Sequence, residues 1–359
     1  MKDLSVPDVR SRLLQWFDDH RRDLPWRRTR DPYRILVAEV LLQRTRVASG
    51  TPYYERFLER FPTVRDLAAA SLESVLGAWE GLGFYGRARN LHAAAKAIVE
   101  RHGGDVPRDL EALEALPGVG PYTAGAVGSI AFGIPAAAVD GNVTRVLSRL
   151  FRISDVASTR GKRQLVELAT ELVPSDRPGE FNQALMELGA TICTPRSPDC
   201  PVCPLEKTCV ARAEGIQEQL PPRQRTRRSP LAPVVFGLVE GDGRLLLVRR
   251  PERGLLGGLW ALPGGERPRG TDDRSALRRA IRSQAGVEVR VGAPVDRVEH
   301  TFSHRRWSGA IYRCVVDRPP ETSEAVRWVS RHEALRLPLV PFHRHTIERA
   351  SRSIESFEA

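Results

Sequence analysis

Two groups of residues in this chain have the types and spacing to do chemistry: a cysteine cluster and a pair of carboxylates. Four of the five cysteines follow the spacing Cys193-x6-Cys200-x2-Cys203-x5-Cys209, with Pro195, Pro198, Pro201 and Pro204 stiffening the short stretches between them. Four thiolates from one such loop can hold a tetrahedral zinc ion or an iron–sulfur cluster, and spacing alone does not choose between the two. Cys314 stands apart, so this is not the scattered, even set of a secreted disulfide scaffold, and a metal site in a reducing cytoplasm is expected. Glu39 lies in the run ILVAEVLLQ with apolar neighbours on all sides. A carboxylate there is costly unless paired or functional, and burial would raise its pKa, which suits a general acid that stays protonated near neutral pH. Asp140 follows IPAAAV and opens the helical run NVTRVLSRL, where it can cap the helix or face a developing positive charge. An acid that protonates a leaving base and an anion that stabilises an oxocarbenium-like sugar are the two parts that cleavage of an N-glycosidic bond requires.

A third feature is the joint Leu116-Pro117-Gly118-Val119-Gly120 between the helical runs DLEALEAL and YTAGAVGSIAF. It reads as a helix–turn–helix with glycines where the turn needs them. The amides that open its second helix can bind a phosphate oxygen without regard to base sequence. By itself, LPGVG is equally compatible with an ordinary αα-hairpin.

The elements that must hold these residues fall into two classes. From about residue 6 to 213, apolar residues recur at three- and four-residue spacing, as in VRSRLLQWF and LVELATELV, and turns such as RFPTV and LGF separate the runs. Residues 214–230 carry prolines and a basic run with little to bury, and read as a linker. From 231 to 350 the period changes: APVVFGLVE, RLLLVRR, VEVRVGAPVDRVEHTF and GAIYRCVVD read as strands, with the helical run DDRSALRRAIRSQAG between two of them. The expectation is a multidomain chain of 359 residues, an all-α half (1–213) followed by an α+β domain. The balance of 55 Lys+Arg against 44 Asp+Glu, net +11, favours a polyanionic partner, nucleic acid first. Charges interrupt the apolar residues of the N-terminus and no segment approaches ~18 continuous apolar positions, so neither a signal peptide nor a membrane span is expected.

Together the motifs resemble those of the MutY adenine DNA glycosylase family, in the helix-hairpin-helix (endonuclease III) superfamily. Pro25-Trp26-Arg27, Glu39-Val40-Leu41-Leu42-Gln43, Gly81-Leu82-Gly83, Gly118-Val119-Gly120 and Asp140-Gly141-Asn142-Val143 occur in the family's order and spacing, and the resemblance runs from about residue 7 to 345. It implies that Cys193, Cys200, Cys203 and Cys209 hold one 4Fe-4S cluster of structural role, with no catalytic metal, and that Gly118 and Gly120 belong to a DNA-gripping hairpin. Glu39 would protonate adenine at a ring nitrogen and later activate water. Asp140 would stabilise or briefly bond the sugar cation, with Asn142 and Tyr122 in support. Arg27 and Gln183 match residues lining an adenine pocket, and Trp26, Phe84 and Tyr85 are candidates for stacking. The target bond is inaccessible in stacked duplex, so the base must be flipped out. Where endonuclease III-like members place a lysine that forms a Schiff base, this chain has Tyr122, so the resemblance is to the monofunctional branch.

Gly265-Glu266 opens a stretch, ending in Gly286-Val287, whose spacing matches the Nudix box. Arg279 is kept, but Thr271, Ala280, Ser283 and Gln284 occupy the four glutamate positions, so no Mg2+ site is expected. The resemblance implies a Nudix-like domain that recognises 8-oxoguanine through Phe302-Ser303-His304. The chain departs from the family at Arg44, where a second Gln usually follows Gln43, and at Phe84, where Tyr is usual; these residues probe and wedge beside the lesion. The implied partner is double-stranded DNA with adenine opposite 8-oxoguanine or guanine, bound by a monomer. Of the competing readings, a thymine-opposite-guanine glycosylase is opposed by Phe302-Ser303-His304, a Nudix hydrolase by the absent glutamates, and a non-catalytic DNA-binding or redox-sensing protein by the presence of both Glu39 and Asp140.

Overall fold

A computed structural model of the chain describes residues 5–222, 229–252 and 254–355, the last five by backbone alone. The helices in chain order are α1 (Val6–His20), α2 (Pro32–Leu42), α3 (Val47–Arg60), α4 (Val64–Ala69), α5 (Leu72–Ala78), α6 (Gly86–His102), α7 (Leu110–Glu114), α8 (Pro121–Phe132), α9 (Gly141–Leu150), α10 (Thr159–Leu172), α11 (Pro178–Thr191) and α12 (Val210–Ala213). Seven strands follow, β1 (Leu231–Gly241), β2 (Arg244–Arg249), β3 (Trp260–Ala261), β4 (Gly264–Glu266), β5 (Val289–Thr301), β6 (Arg306–Val316) and β7 (Val326–Ser330), with α13 (Asp273–Ala285) before β5 and α14 (Arg331–Arg336) and α15 (Pro341–Glu355) after β7. No helix among the described residues is long and apolar enough to cross a membrane.

The chain forms two compact units, Met1–Ala69 with Asn90–Arg225, and Ala70–Arg89 with Thr226–Ala359. The first is all-helical. Val9, Leu13 and Phe17 of α1 pack with Val143 and Leu147 of α9, Leu165 of α10 and Phe181 and Leu185 of α11, each apolar stripe repeating at helical spacing. Small residues set how closely the helices approach. A Cβ on Gly125 of α8 would stand 2.1 Å from the Ala137 carbonyl oxygen, and one on Gly179 of α11 would stand 2.6 Å from that of Ser129. In the joint between α7 and α8, Gly118 adopts φ +77, which favours glycine, whereas Gly120 is extended at φ −110. Only the first of the two glycines is therefore demanded by the turn.

The second unit is built on a sheet of order β3-β2-β1-β6-β5, with β4 also paired to β1 and β7 to β2. β1 and β6 run parallel and the other pairs antiparallel. Period-two alternation divides β1 between two cores: Val234, Phe236 and Leu238 join Trp260, Trp307, Leu339 and Ile347 on one face, and Val235 and Val239 join Leu277 and Ile281 of α13 on the other.

The cut between the two units, at 225/226, falls inside the stretch 214–230 read as a linker. Residues 70–89 have the periodicity of the helical half yet cluster with the sheet-bearing unit. Within the stretch 214–230, Leu220 is buried and its carbonyl accepts a 2.9 Å hydrogen bond from Arg149 Nε. Residues 223–228 of that linker lie outside the described residues.

Candidate active site

Asp31 starts α2 by accepting hydrogen bonds from the Tyr33 and Arg34 amides, and the helix that follows is buried from Ile35 to Leu41. Glu39 is thereby carried inside, 8% exposed, in the wall of a cavity of about 620 Å3. Burial pushes its carboxyl up to about 7, helped by Asp140, against the lowering effect of the Tyr122 hydrogen bond and Arg27. Tyr122, in the first turn of α8, donates to Glu39 Oε2 at 2.5 Å, and burial holds its own pKa well above the ordinary value. Asp140 is the N-cap of α9: Oδ1 accepts from the Val143 amide at 2.7 Å and Oδ2 from Asn142 Nδ2 at 2.9 Å. Burial raises its pKa while those bonds oppose the rise. Asn182, buried on α11, fixes the approach to Asp140 by accepting from the Ala138 amide and donating to the Ala136 carbonyl and Ser129. Glu39, Tyr122, Asp140 and Asn142 all line the one cavity.

The remaining wall includes Trp26, Arg27, Gln43, Arg44, Gln183, Met186 and a pair that the sequence reading missed, Arg22 and Glu187. Glu187 is 1% exposed and accepts from Arg22 Nε and Nη2, both at 2.6 Å, and from Arg27 Nη2 at 2.9 Å. Burial alone would raise its pKa, but the two guanidiniums win and hold it at about 2. Arg27 Nε is buried with no hydrogen-bond partner among the described residues. Trp26 is buried edge-on to Tyr54, with ring centres 5.4 Å apart. Gln43 ends α2 and donates to Thr123 at 3.3 Å, and the exposed Arg44 takes a left-handed φ of 61. Gln183 donates to the Gly179 carbonyl at 3.2 Å.

The four clustered cysteines are partly buried and unbridged, and Cys193, Cys203 and Cys209 pack against the α1–α9–α10–α11 core. Burial pushes the Cys203 thiol up to about 12, and Cys193, Cys209 and Cys200 each add to the rise, which marks the four as neighbours. No group of three or more metal-ligating side chains among the described residues is drawn together for a single ion. Four thiolates are the donor set of either a tetrahedral zinc ion or an iron–sulfur cluster. Two arginines of α9, also missed from sequence, secure this loop. Arg149, 2% exposed, donates to Cys193 Sγ at 3.2 Å and to the Thr194 carbonyl at 2.8 Å. Arg145 donates to the Cys193 carbonyl at 2.7 Å and to Asn142 Oδ1 at 2.9 Å. The cysteine loop is thus joined to Asp140 through Arg145 and Asn142. In a chain with 55 Lys+Arg, nothing in the sequence distinguishes these two arginines from surface ones.

In the second unit the Phe302-Ser303-His304 turn links β5 to β6. Phe302 is its anchor, edge-on to Trp307 at 5.0 Å and closed by its amide donating to the Arg305 carbonyl at 2.7 Å, while Ser303 and His304 are exposed. At the Nudix-box positions, Gln284 pairs its amide with the Gly264 backbone at 2.8 and 2.9 Å, and Arg279 donates to Thr271. These side chains staple the loop. Phe84 is 46% exposed at a left-handed φ of 48. Tyr85 is only 4% exposed and its hydroxyl accepts from the Gly81 amide, so in this structure the ring packs inside and fixes the turn.

Residues 37–174 match the HhH-GPD superfamily of base excision DNA repair proteins, and residues 234–349 match the NUDIX domain. The adenine DNA glycosylase of Homo sapiens is 39% identical, over 91% of this chain and 71% of its own. Among solved structures, a thermostable thymine-DNA glycosylase is 37% identical with a TM-score of 0.54, covering 58% of this chain and 97% of that one. A trapped endonuclease III–DNA covalent intermediate is 29% identical with a TM-score of 0.51, covering 59% of this chain and 99% of that one. The likeness to the human enzyme runs through both halves, and the chain belongs to the adenine DNA glycosylase family of base excision repair enzymes.

Proposed function

We propose that this enzyme removes adenine paired with 8-oxoguanine or guanine, hydrolysing the N-glycosidic bond of a flipped nucleotide in the cavity that holds Glu39 and Asp140. One observation carries the reading: a buried carboxyl titrating near 7 beside a second carboxylate, both on one 620 Å3 cavity. Glu39 is protonated often enough at neutral pH to give its proton to a ring nitrogen of adenine, and the resulting carboxylate then draws a proton from water. Asp140, its two oxygens oriented by Val143 and Asn142, faces the developing sugar cation. The Glu187 and Arg27 side chains offer an acceptor and a buried, unpaired donor to the base. Tyr122 has no amine, so no Schiff base forms there and the product is an intact strand with an abasic site.

Cys193, Cys200, Cys203 and Cys209 are assigned as ligands of one 4Fe-4S cluster. When bound, it supplies a rigid tie for the basic loop, since four protein thiolates leave no coordination position open to substrate. Gly118 and Gly120 present the α8 amides to a phosphate, Gln43, Arg44 and Phe84 meet the bases around the lesion, and Phe302, Ser303 and His304 read the oxidised guanine. The enzyme works as a monomer on DNA in the cytoplasm.

The test is to incubate protein with duplexes carrying adenine opposite 8-oxoguanine, guanine or cytosine and cleave abasic sites with alkali. Strand breaks in the first two, appearing only after alkali, are expected. Preferential release of thymine opposite guanine, or scission before alkali, would overturn the reading.

A further inference from the structure

The segment 70–89, helical by sequence, is fastened to the sheet-bearing unit by two carboxylates. Glu73 on α5 receives both terminal nitrogens of Arg327 on β7, at 3.1 and 3.3 Å, and Trp260 Nε1 at 2.9 Å. Arg327 in turn lies 4.4 Å over the Trp260 ring. Glu80, just before the Gly81-Leu82-Gly83 turn, receives Arg344 of α15 at 2.5 and 2.9 Å. The other donors of Arg344 are spent on the Leu335 and Leu337 carbonyls, so the guanidinium is held from behind. Both pairs are bidentate, and the side chains involved are a third exposed or less. Such forks fix orientation as well as distance, unlike a single exposed ion pair.

What they hold is a loop in an unusual conformation. Gly81, Gly83 and Phe84 all take left-handed φ, of 94, 70 and 48. The fully buried Trp79 donates to the Gly83 carbonyl, the buried Tyr85 ties back to Gly81, and Arg87 lies within 5.6 Å of the Phe84 ring centre. A phenylalanine at left-handed φ persists only where its surroundings over-determine it, and here they leave the ring half in solvent. The same unit carries the Phe302-Ser303-His304 turn.

We propose that Glu73 and Glu80, gripped by Arg327 and Arg344, are positioning residues that set the Phe84 loop for insertion into DNA, so that the unit reading the opposite base also holds the aromatic that displaces adenine. This rests on the assignment of Phe84 as the inserting aromatic. The full-length chain is compared with Glu73→Gln, Glu80→Gln, Phe84→Ala, and each glutamine variant combined with Phe84→Ala. Two readouts are taken on duplexes with 8-oxoguanine opposite the target: the fluorescence rise of 2-aminopurine at the target position, which reports unstacking, and single-turnover excision of adenine. Glu73→Gln and Glu80→Gln are expected to slow both by roughly tenfold with duplex affinity unchanged, and to add nothing in the Phe84→Ala background. Glutamine variants at wild-type rates in a protein slowed by Phe84→Ala would overturn the clamp while leaving the insertion reading intact. Phe84→Ala at the wild-type rate would overturn the insertion reading itself. Losses that add to those of Phe84→Ala would make the pairs ordinary packing and overturn the clamp as well.

Discussion

Among single residues, Glu39 carries the most consequence, because its environment sets both its chemistry and its cost. With its carboxyl at about 7, the acid fraction falls as pH rises through that value. Single-turnover excision is therefore expected to be level below about pH 7 and to decline above it, approaching tenfold per unit. Glu39→Gln is expected to lose at least about a hundredfold at neutral pH, the usual scale for general acid catalysis, and to abolish that limb of the profile. The same shift acts on stability. Between the ordinary value of 4.5 and about 7, the folded chain keeps a proton that the unfolded chain has released, so stability falls as pH rises through that window. Glu39→Gln should accordingly unfold at higher temperature than the parent at pH 8, by up to about 3 kcal/mol, and show no such gain at pH 4. Thermal melts at the two pH values check it; equal melting at pH 8 would mean the carboxylate is compensated in the fold. The sequence exposed this residue because a lone acid in an apolar run is conspicuous. Glu187 is buried more deeply, yet it stayed hidden because the arginines that neutralise it, Arg22 and Arg27, lie far away in sequence or in an arginine-rich stretch.

At the scale of elements, the site depends on how closely α9 approaches α11. A Cβ on Gly189 would stand 2.7 Å from Asn142 Cβ and 3.0 Å from its carbonyl oxygen, so only glycine lets the start of α9 settle there. Gly189→Ala must shift Asn142, and with it the bond that orients Asp140, at an overpacking cost of about 1–3 kcal/mol. Excision by a protein that still binds duplex is expected to fall severalfold or more; an unchanged rate in crystals showing no displacement of Asn142 would refute the dependence. The cysteine loop bears on the same residue from the other side. Along the chain the loop is remote from Glu39, which by itself implies that losing a ligand weakens DNA binding more than it alters the pocket. Arg145 changes that expectation, since it spans from the Cys193 carbonyl to Asn142. Cys200→Ser is therefore expected to lower excision as well as affinity, measured as a single-turnover rate at saturating protein. Cysteine spacing and the N-cap position of Asp140 were legible because they are local patterns. The arginine that connects them was not, because its partners are a backbone carbonyl and a side chain brought together by the fold.

At the scale of the whole molecule, the division departs from the sequence reading at residues 70–89. Helical periodicity reports that α5 is amphipathic, not which core receives its apolar face, and Leu76 and Trp79 are fully buried in the unit built from the sheet. A Cβ on Gly258 would stand 3.1 Å from Leu76 Cδ1, which shows how directly the two stretches meet. The C-terminal half is thus more than a reading head appended to a finished enzyme. A chain ending near residue 228 would strip Glu73 and Glu80 of Trp260, Arg327 and Arg344, leaving acidic side chains and an apolar helix face with no partner. Loss of the Phe302-Ser303-His304 turn by itself would lower only the preference for 8-oxoguanine over guanine opposite adenine. Loss of the support for residues 70–89 should in addition slow excision from the adenine–guanine duplex and lower the melting temperature of what remains. The two effects separate in one comparison: substituting Ser303 and His304 by alanine in the full chain should narrow the ratio of the two rates with melting unchanged, whereas truncation should narrow the ratio, depress both rates and lower the melting temperature. A truncated chain that melts like the parent and excises adenine opposite guanine at the full rate would show that the helical unit holds residues 70–89 by itself.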